Sequence, residues 1–155
     1  MALILSGDTG PSIVQSAAMP SGSVLQVVNG STTTGISTTS STYVDTNLTA
    51  TITPRFISSK ILILISQSGI SVGTSASGVN CRILRDSTQL IQFAMYYMYS
   101  TTGAPVGASA NYLDSPATTS AITYKTQYQR GTGSGYVYMN DNNATSTITL
   151  LEISG

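Results

Sequence analysis

The sequence contains no histidine and no tryptophan, one cysteine, and only 8% charged residues among 155. Each shortage excludes something. Without histidine there is no Ser-His-Asp or Cys-His catalytic machinery. With Cys81 alone there is no disulfide within the chain. Cys81 lies in Val79-Asn80-Cys81-Arg82-Ile83, on the parity of Val79 and Ile83, so it reads as a small buried hydrophobe. Six acidic and six basic residues cancel. The bases are scattered along the chain, whereas phosphate binding needs them clustered, so no nucleic-acid partner is expected. The longest strongly apolar run, Ile61 to Ile65, is far too short to cross a bilayer, so no membrane insertion is expected. Met1 to Leu5 is too short for the apolar core of a secretory signal and has no basic lead.

Carboxylates are equally sparse. Asp8, Asp45, Asp86, Asp114, Asp141 and Glu152 are isolated in sequence, and most stand beside turn-forming residues. Asp86, Asp114 and Asp141 read as turn formers bonded to the local backbone. Asn140-Asp141-Asn142-Asn143 offers oxygens to a hard cation, but one carboxylate without EF-hand spacing reads better as a plain turn. The expectation is a protein without catalytic residues, metal or cofactor.

What the chain does have is strand signal. Val24 to Val28 is β-branched and runs into Asn29-Gly30, a turn pair. Thr32 to Thr42 reads as a Ser/Thr-rich loop. Leu48-Thr49-Ala50-Thr51-Ile52-Thr53 alternates, with Leu48, Ala50 and Ile52 inward, and Pro54 stops it. Val79–Leu84 and Leu90–Tyr99 form a hairpin about Asp86-Ser87-Thr88. Ser109–Leu113, Ala121–Gln129, Tyr136–Met139 and Thr147–Ile153 follow as further strands. In Ala121–Gln129, Ile122, Tyr124, Thr126 and Tyr128 share a face. The sum is an all-β antiparallel sandwich of eight to ten strands, a jelly roll in plan. Residues 1–21, with Gly7, Gly10, Pro11 and Pro20 as breakers, read as an extended N-terminal arm before a head domain of residues 22–155. An attachment role for the arm falls to its apolar residues Leu3, Leu5, Ile13 and Val14.

Two features point to a partner. Lys60-Ile61-Leu62-Ile63-Leu64-Ile65-Ser66 is apolar on both faces, and a sandwich strand has only one core-facing side. The second face needs a cover, which a neighbouring subunit would supply. Nine tyrosines without tryptophan suit wet interfaces, because each ring buries area and keeps a hydroxyl for hydrogen bonding. Ile61, Ile63, Ile65, Tyr97, Tyr99, Tyr124, Tyr128, Tyr136 and Tyr138 are therefore the expected subunit interface of a homotrimer. A sugar-binding surface competes for the same rings, with a carbohydrate-binding module or glycosidase as the corresponding alternative.

Leu3-Ile4-Leu5-Ser6-Gly7-Asp8-Thr9-Gly10 and Met19-Pro20-Ser21-Gly22-Ser23-Val24-Leu25-Gln26-Val27-Val28 resemble the openings of tailed-bacteriophage virion proteins of tail-fibre type. Ile122-Thr123-Tyr124-Lys125, Tyr136 to Asn140 and Ser146 to Ile153 resemble the closing strands of phage fibre heads. The resemblance covers less than half the chain. It implies a trimeric jelly-roll head, similar in plan to the C1q/TNF group, on the surface of a virion. The arm would dock on other virion proteins, and exposed loops would meet host-surface polysaccharide or simply project. No long fibrous shaft precedes the head, so a short fibre, a spike tip and a capsid decoration protein all fit.

Overall fold

A computed structural model describes residues 19–73, 77–98 and 105–155. Leu3, Leu5, Ile13, Val14 and Tyr99 lie outside these residues. The described chain is built from strands: β1 (Val24–Thr32), β2 (Ile36–Thr38), β3 (Val44–Ile52), β4 (Lys60–Val72), β5 (Ser77–Arg85), β6 (Thr88–Met98), β7 (Val106–Asp114), β8 (Ile122–Thr132), β9 (Val137–Met139) and β10 (Ser146–Ile153). A 3-10 turn at Asp141–Asn143 separates the last two.

Two antiparallel sheets face each other. The first is ordered β1-β10-β4-β7, with β9 and then β2 continuing from the far end of β4, where Ser71 and Val72 pair with Tyr138 and Val137. The second is ordered β3-β8-β5-β6. Leaving aside the short β2 and β9, the chain changes sheet at every step except the β5–β6 hairpin. That wrapping is the jelly roll expected from the strand pattern.

Alternation puts every second side chain inside. Leu48, Ala50, Ile52, Ile61, Ile63, Ile65, Ile83, Ile122, Tyr124, Ile148 and Leu150 form one core cluster. Ile70, Val72, Val79, Cys81, Tyr128, Val137 and Met139 belong to a second. Between Ile65 and Ile70 on β4, and between Tyr124 and Tyr128 on β8, the inward positions are the fully buried Gln67 and Thr126. Thr126 donates to Gln67 at 3.2 Å, and Gln67 donates to Ser146 at 2.8 Å and to Asn140 at 3.2 Å. Thr46 on β3 completes the belt by bonding Thr126. Among the described residues no buried side-chain nitrogen or oxygen lacks a partner, so this polar belt crosses the core without orphaned groups.

Three expectations change. Asn29-Gly30 is not a turn: β1 runs through it, pairing Asn29 with Thr149 and Gly30 with Ile148. The Ser/Thr loop contains β2, paired with β9. Of the three aspartates assigned to turns, only Asp141 bonds the adjacent backbone, through the Asn142 N–H at 2.9 Å. Asp86 accepts from the distant Thr123 N–H at 3.0 Å. Asp114 is buried and takes two bonds from Arg85 across the sandwich. Sequence spacing hides such pairs, because the jelly roll brings together residues far apart in the chain.

Cys81 is fully buried beside Val79 and Ile83, as its parity implies. Burial pushes its thiol up to about 12, so the thiolate is suppressed at ordinary pH. A thiol reagent such as DTNB at pH 8 is expected to leave the native protein unlabelled and to label one equivalent after denaturation. Rapid labelling of native protein would contradict this placement.

Candidate functional site

The two outer faces of the sandwich differ sharply. On the second sheet, Asp45 accepts from Lys125 at 2.9 Å and from Gln127 at 2.6 Å. Partial burial alone would raise the Asp45 carboxyl, but these bonds and the Lys125 charge outweigh it and hold the pKa below the usual value. Arg82 donates to Gln127 at 3.0 and 2.6 Å and to Gln89 at 2.9 Å. Its guanidinium lies 3.8 Å from the centre of the Tyr43 ring. Across β3, β8 and β5 this face is a polar network suited to water, with Met95 on β6 an exposed apolar side chain at its edge.

The first sheet turns the opposite character outward. Val27 pairs with Leu151, Leu151 with Leu62, and Leu62 with Leu113, so one apolar row crosses all four main strands. At an interstrand spacing of about 4.8 Å the row is roughly 14 Å wide. Val27 is 58% exposed and Leu113 50%. The next row holds Asn29, Thr149, Leu64 and Asn111, with Leu64 exposed. On the other side Val24 pairs with Ile153, beside Lys60. Beyond Leu64 the face becomes polar, with Ser31, Thr147, Ser66 and Ser109 in one row. The apolar patch therefore sits at the end of the sheet where the chain enters β1. There a turn at Pro20–Ser23, closed by the Ser23 N–H to the Pro20 carbonyl at 3.1 Å, is tied to Ser154 by two backbone bonds of 2.9 Å. Clustered exposed apolar side chains rimmed by polar residues mark interaction sites.

The structure redistributes the residues expected at the interface. Ile61, Ile63 and Ile65 point into the chain's own core, as do Tyr124 and Tyr128, so no second subunit can reach them. The reason is parity: the even positions of the same run, Leu62 and Leu64, face outward. Tyr97 lies on β6 in the other sheet. Tyr136 and Tyr138 flank Val137 of β9, their ring centres 6.1 Å apart, at the opposite end of β4 from the apolar row. Among the described residues, Tyr124, Tyr128, Tyr136 and Tyr138 thus form no single patch. The row's members Val27, Leu113 and Leu151 were missed. Their only sequence signal was a residue of strand apolar on both parities, as in Leu150-Leu151.

No family model and no curated protein matches the sequence. Among solved structures, the chain is similar to the VP2 subviral particle protein of infectious bursal disease virus, with 14% identity and a TM-score of 0.49 over 86% of this chain. It is similar also to the protein of the T13 particle of that virus, with 14% identity and a TM-score of 0.47 over 98% of this chain. The chain spans 34% and 39% of the length of those two proteins.

Proposed function

We propose that this chain is a structural subunit of a virus particle and that it works as an oligomer without catalysing a reaction. The observation that carries the reading is the row Val27–Leu151–Leu62–Leu113, an apolar band left facing outward on a protein with almost no charge to keep copies apart. A second copy of the chain covers it, in a homotrimer. The resemblance of both ends of the sequence to tailed-phage virion proteins supports a place on the particle surface, as a short tail fibre or spike attached through residues 1–21. A capsid decoration protein uses the same fold and the same face. Copy number separates the two: hundreds per particle argue for decoration, a few dozen at most for a tail part.

Light scattering of the purified protein tests the reading. The expected mass is three times the 16.1 kDa of the chain. Leu62→Asp is expected to give a folded monomer, because Leu62 faces outward, only partly buried, and a typical substitution costs an isolated domain about 1 kcal/mol. A wild-type monomer, or an unchanged oligomer in Leu62→Asp, overturns this assignment of the face. Absence of the protein from purified particles overturns the virion reading.

A further inference from the structure

At the far end of β4 from the apolar row, a cleft of about 240 Å³ opens between β2, β9 and the turn that follows β9. Its lining includes Ser37, Tyr138, Asp141, Asn142 and Asn143, and no lysine or arginine. We propose that this cleft binds a neutral sugar residue, with Tyr138 as the apolar platform and Asp141, Asn142 and Asn143 as partners for the sugar hydroxyls. As a point of host contact the cleft rests on the particle-surface reading above, whereas sugar binding by the isolated protein does not depend on it.

The turn is built as a fixed object. Asn140 is fully buried. Its side chain donates to the Thr34 carbonyl at 3.0 Å and accepts from Gln67 and Ser146, and its N–H donates to the Ser68 carbonyl at 3.1 Å. Asp141 accepts from Ser71 at 2.7 Å. Gly69 opposes the turn so closely that a Cβ there would stand 2.5 Å from the Asp141 nitrogen. Asn140, Asn142 and Asn143 all hold left-handed backbone, with φ of 54°, 56° and 57°. Asparagine adopts that region more readily than most residues, and anchored neighbours hold it there. Asn142 and Asn143 are exposed on this anchored turn, so their amides are presented with little ordering left to lose on binding.

The chemistry selects the ligand class. Tyr138, whose ring tip reaches over Gly73, lines the cleft beside several amides and one carboxylate, and this set of apolar surface, donors and acceptors matches a pyranose ring. With Asp141 present and no cation in the lining, an acidic sugar or a phosphate meets repulsion without compensation. The cleft accommodates one ring. Asp141 and Asn142 also line a second cleft of about 370 Å³ on the other side of the turn, beside Gly69 and Val106. A chain of two or more sugars can therefore straddle Asn142.

The position is also suggestive of use. From Lys60 to Ser71 along β4 is about 36 Å at the usual rise per residue. The apolar row and the N-terminal entrance to β1 lie at one end of that strand, and the cleft at the other.

A glycan array followed by saturation-transfer NMR with neutral and acidic oligosaccharides tests the proposal on the full-length protein. The expected result is binding of at least one neutral glycan and none of its sialylated or sulfated counterparts. Tyr138→Ala is expected to weaken binding by about tenfold or more. Asn142→Gly, which keeps the left-handed backbone but removes the amide, is expected to weaken it while leaving the melting temperature unchanged. No neutral glycan bound at millimolar concentration, a preference for acidic glycans, or equal affinity in both variants overturns the proposal. The oligomer measurement above would stand through any of those outcomes.

Discussion

Arg85→Ala is expected to destabilise the protein by about 3–5 kcal/mol, the cost of leaving one member of a buried ion pair without its partner. Arg85 Nη1 lies 3.0 and 2.9 Å from the two carboxylate oxygens of Asp114. The Asp114 side chain is 7% exposed and that of Arg85 28%. The pair joins β5 of the second sheet to β7 of the first, and Tyr124 on β8 adds a 2.7 Å bond to the same carboxylate. Burial, and then the hydrogen bond to Asp114, hold the Tyr124 phenol far above its ordinary pKa, so it stays a donor. Removing Arg85 leaves a charge in the sandwich with one neutral donor. Asp114→Asn is expected to cost less, because the freed guanidinium is the more exposed partner and can turn to water. Chemical denaturation of both variants and of the double variant measures the coupling. An Arg85→Ala loss below about 1 kcal/mol, the value of an exposed pair, would show that the bond is solvated.

Gly30→Ala is the second large effect, and its origin is packing. A Cβ at Gly30 would lie 2.1 Å from the Thr49 carbonyl oxygen on β3 and 3.0 Å from Ile148 Cγ2. Thr49 belongs to the facing sheet, so relief requires β1 and β3 to part at the edge of the sandwich. Overpacking typically costs about 1–3 kcal/mol, and the tightest contact here is the new Cβ against a backbone carbonyl, which cannot swing aside as a flexible side chain would. A loss of at least about 3 kcal/mol is expected. Gly22→Ala is the control. Gly22 has φ of 88° with nothing within 4 Å of the added atom, so it reports backbone strain alone, at about 1–2 kcal/mol. Thermal denaturation of the two variants side by side decides the matter. Equal losses would mean that the sheets separate easily at Gly30.

Gly30 also shows where the sequence is legible and where it stops. The alternation in Leu48–Thr53 and Ala121–Gln129 reports inward faces correctly, because a half-buried strand must repeat every two residues. Asn29-Gly30 suggests a turn, because the same dipeptide serves left-handed turns and close sheet contacts, and only the approach of Thr49 distinguishes them. The candidate face was half legible. A run apolar on both parities announces that β4 has a second apolar side, but not which parity the core takes. Ile61, Ile63 and Ile65 go inward, and the surface reading passes to Leu62 and Leu64. The tyrosines were less legible still. A tyrosine on a strand fits a core with a hydroxyl partner as well as a surface, and Tyr124 finds its partner in Asp114, ten positions away in sequence and on another sheet.

The 13-residue strand β4 has a consequence for how such a protein can change over time. Residues that contact nothing in common contribute almost independently to stability and binding when they lie more than about 10 Å apart. The apolar row and the Asn140–Asn143 turn are separated by about twice that distance, roughly 20 Å along β4 from Leu62 to Ser68, whose carbonyl accepts from the Asn140 N–H. Under the roles proposed for the two sites, a change in what the turn recognises leaves assembly untouched, and assembly can be refined without altering recognition.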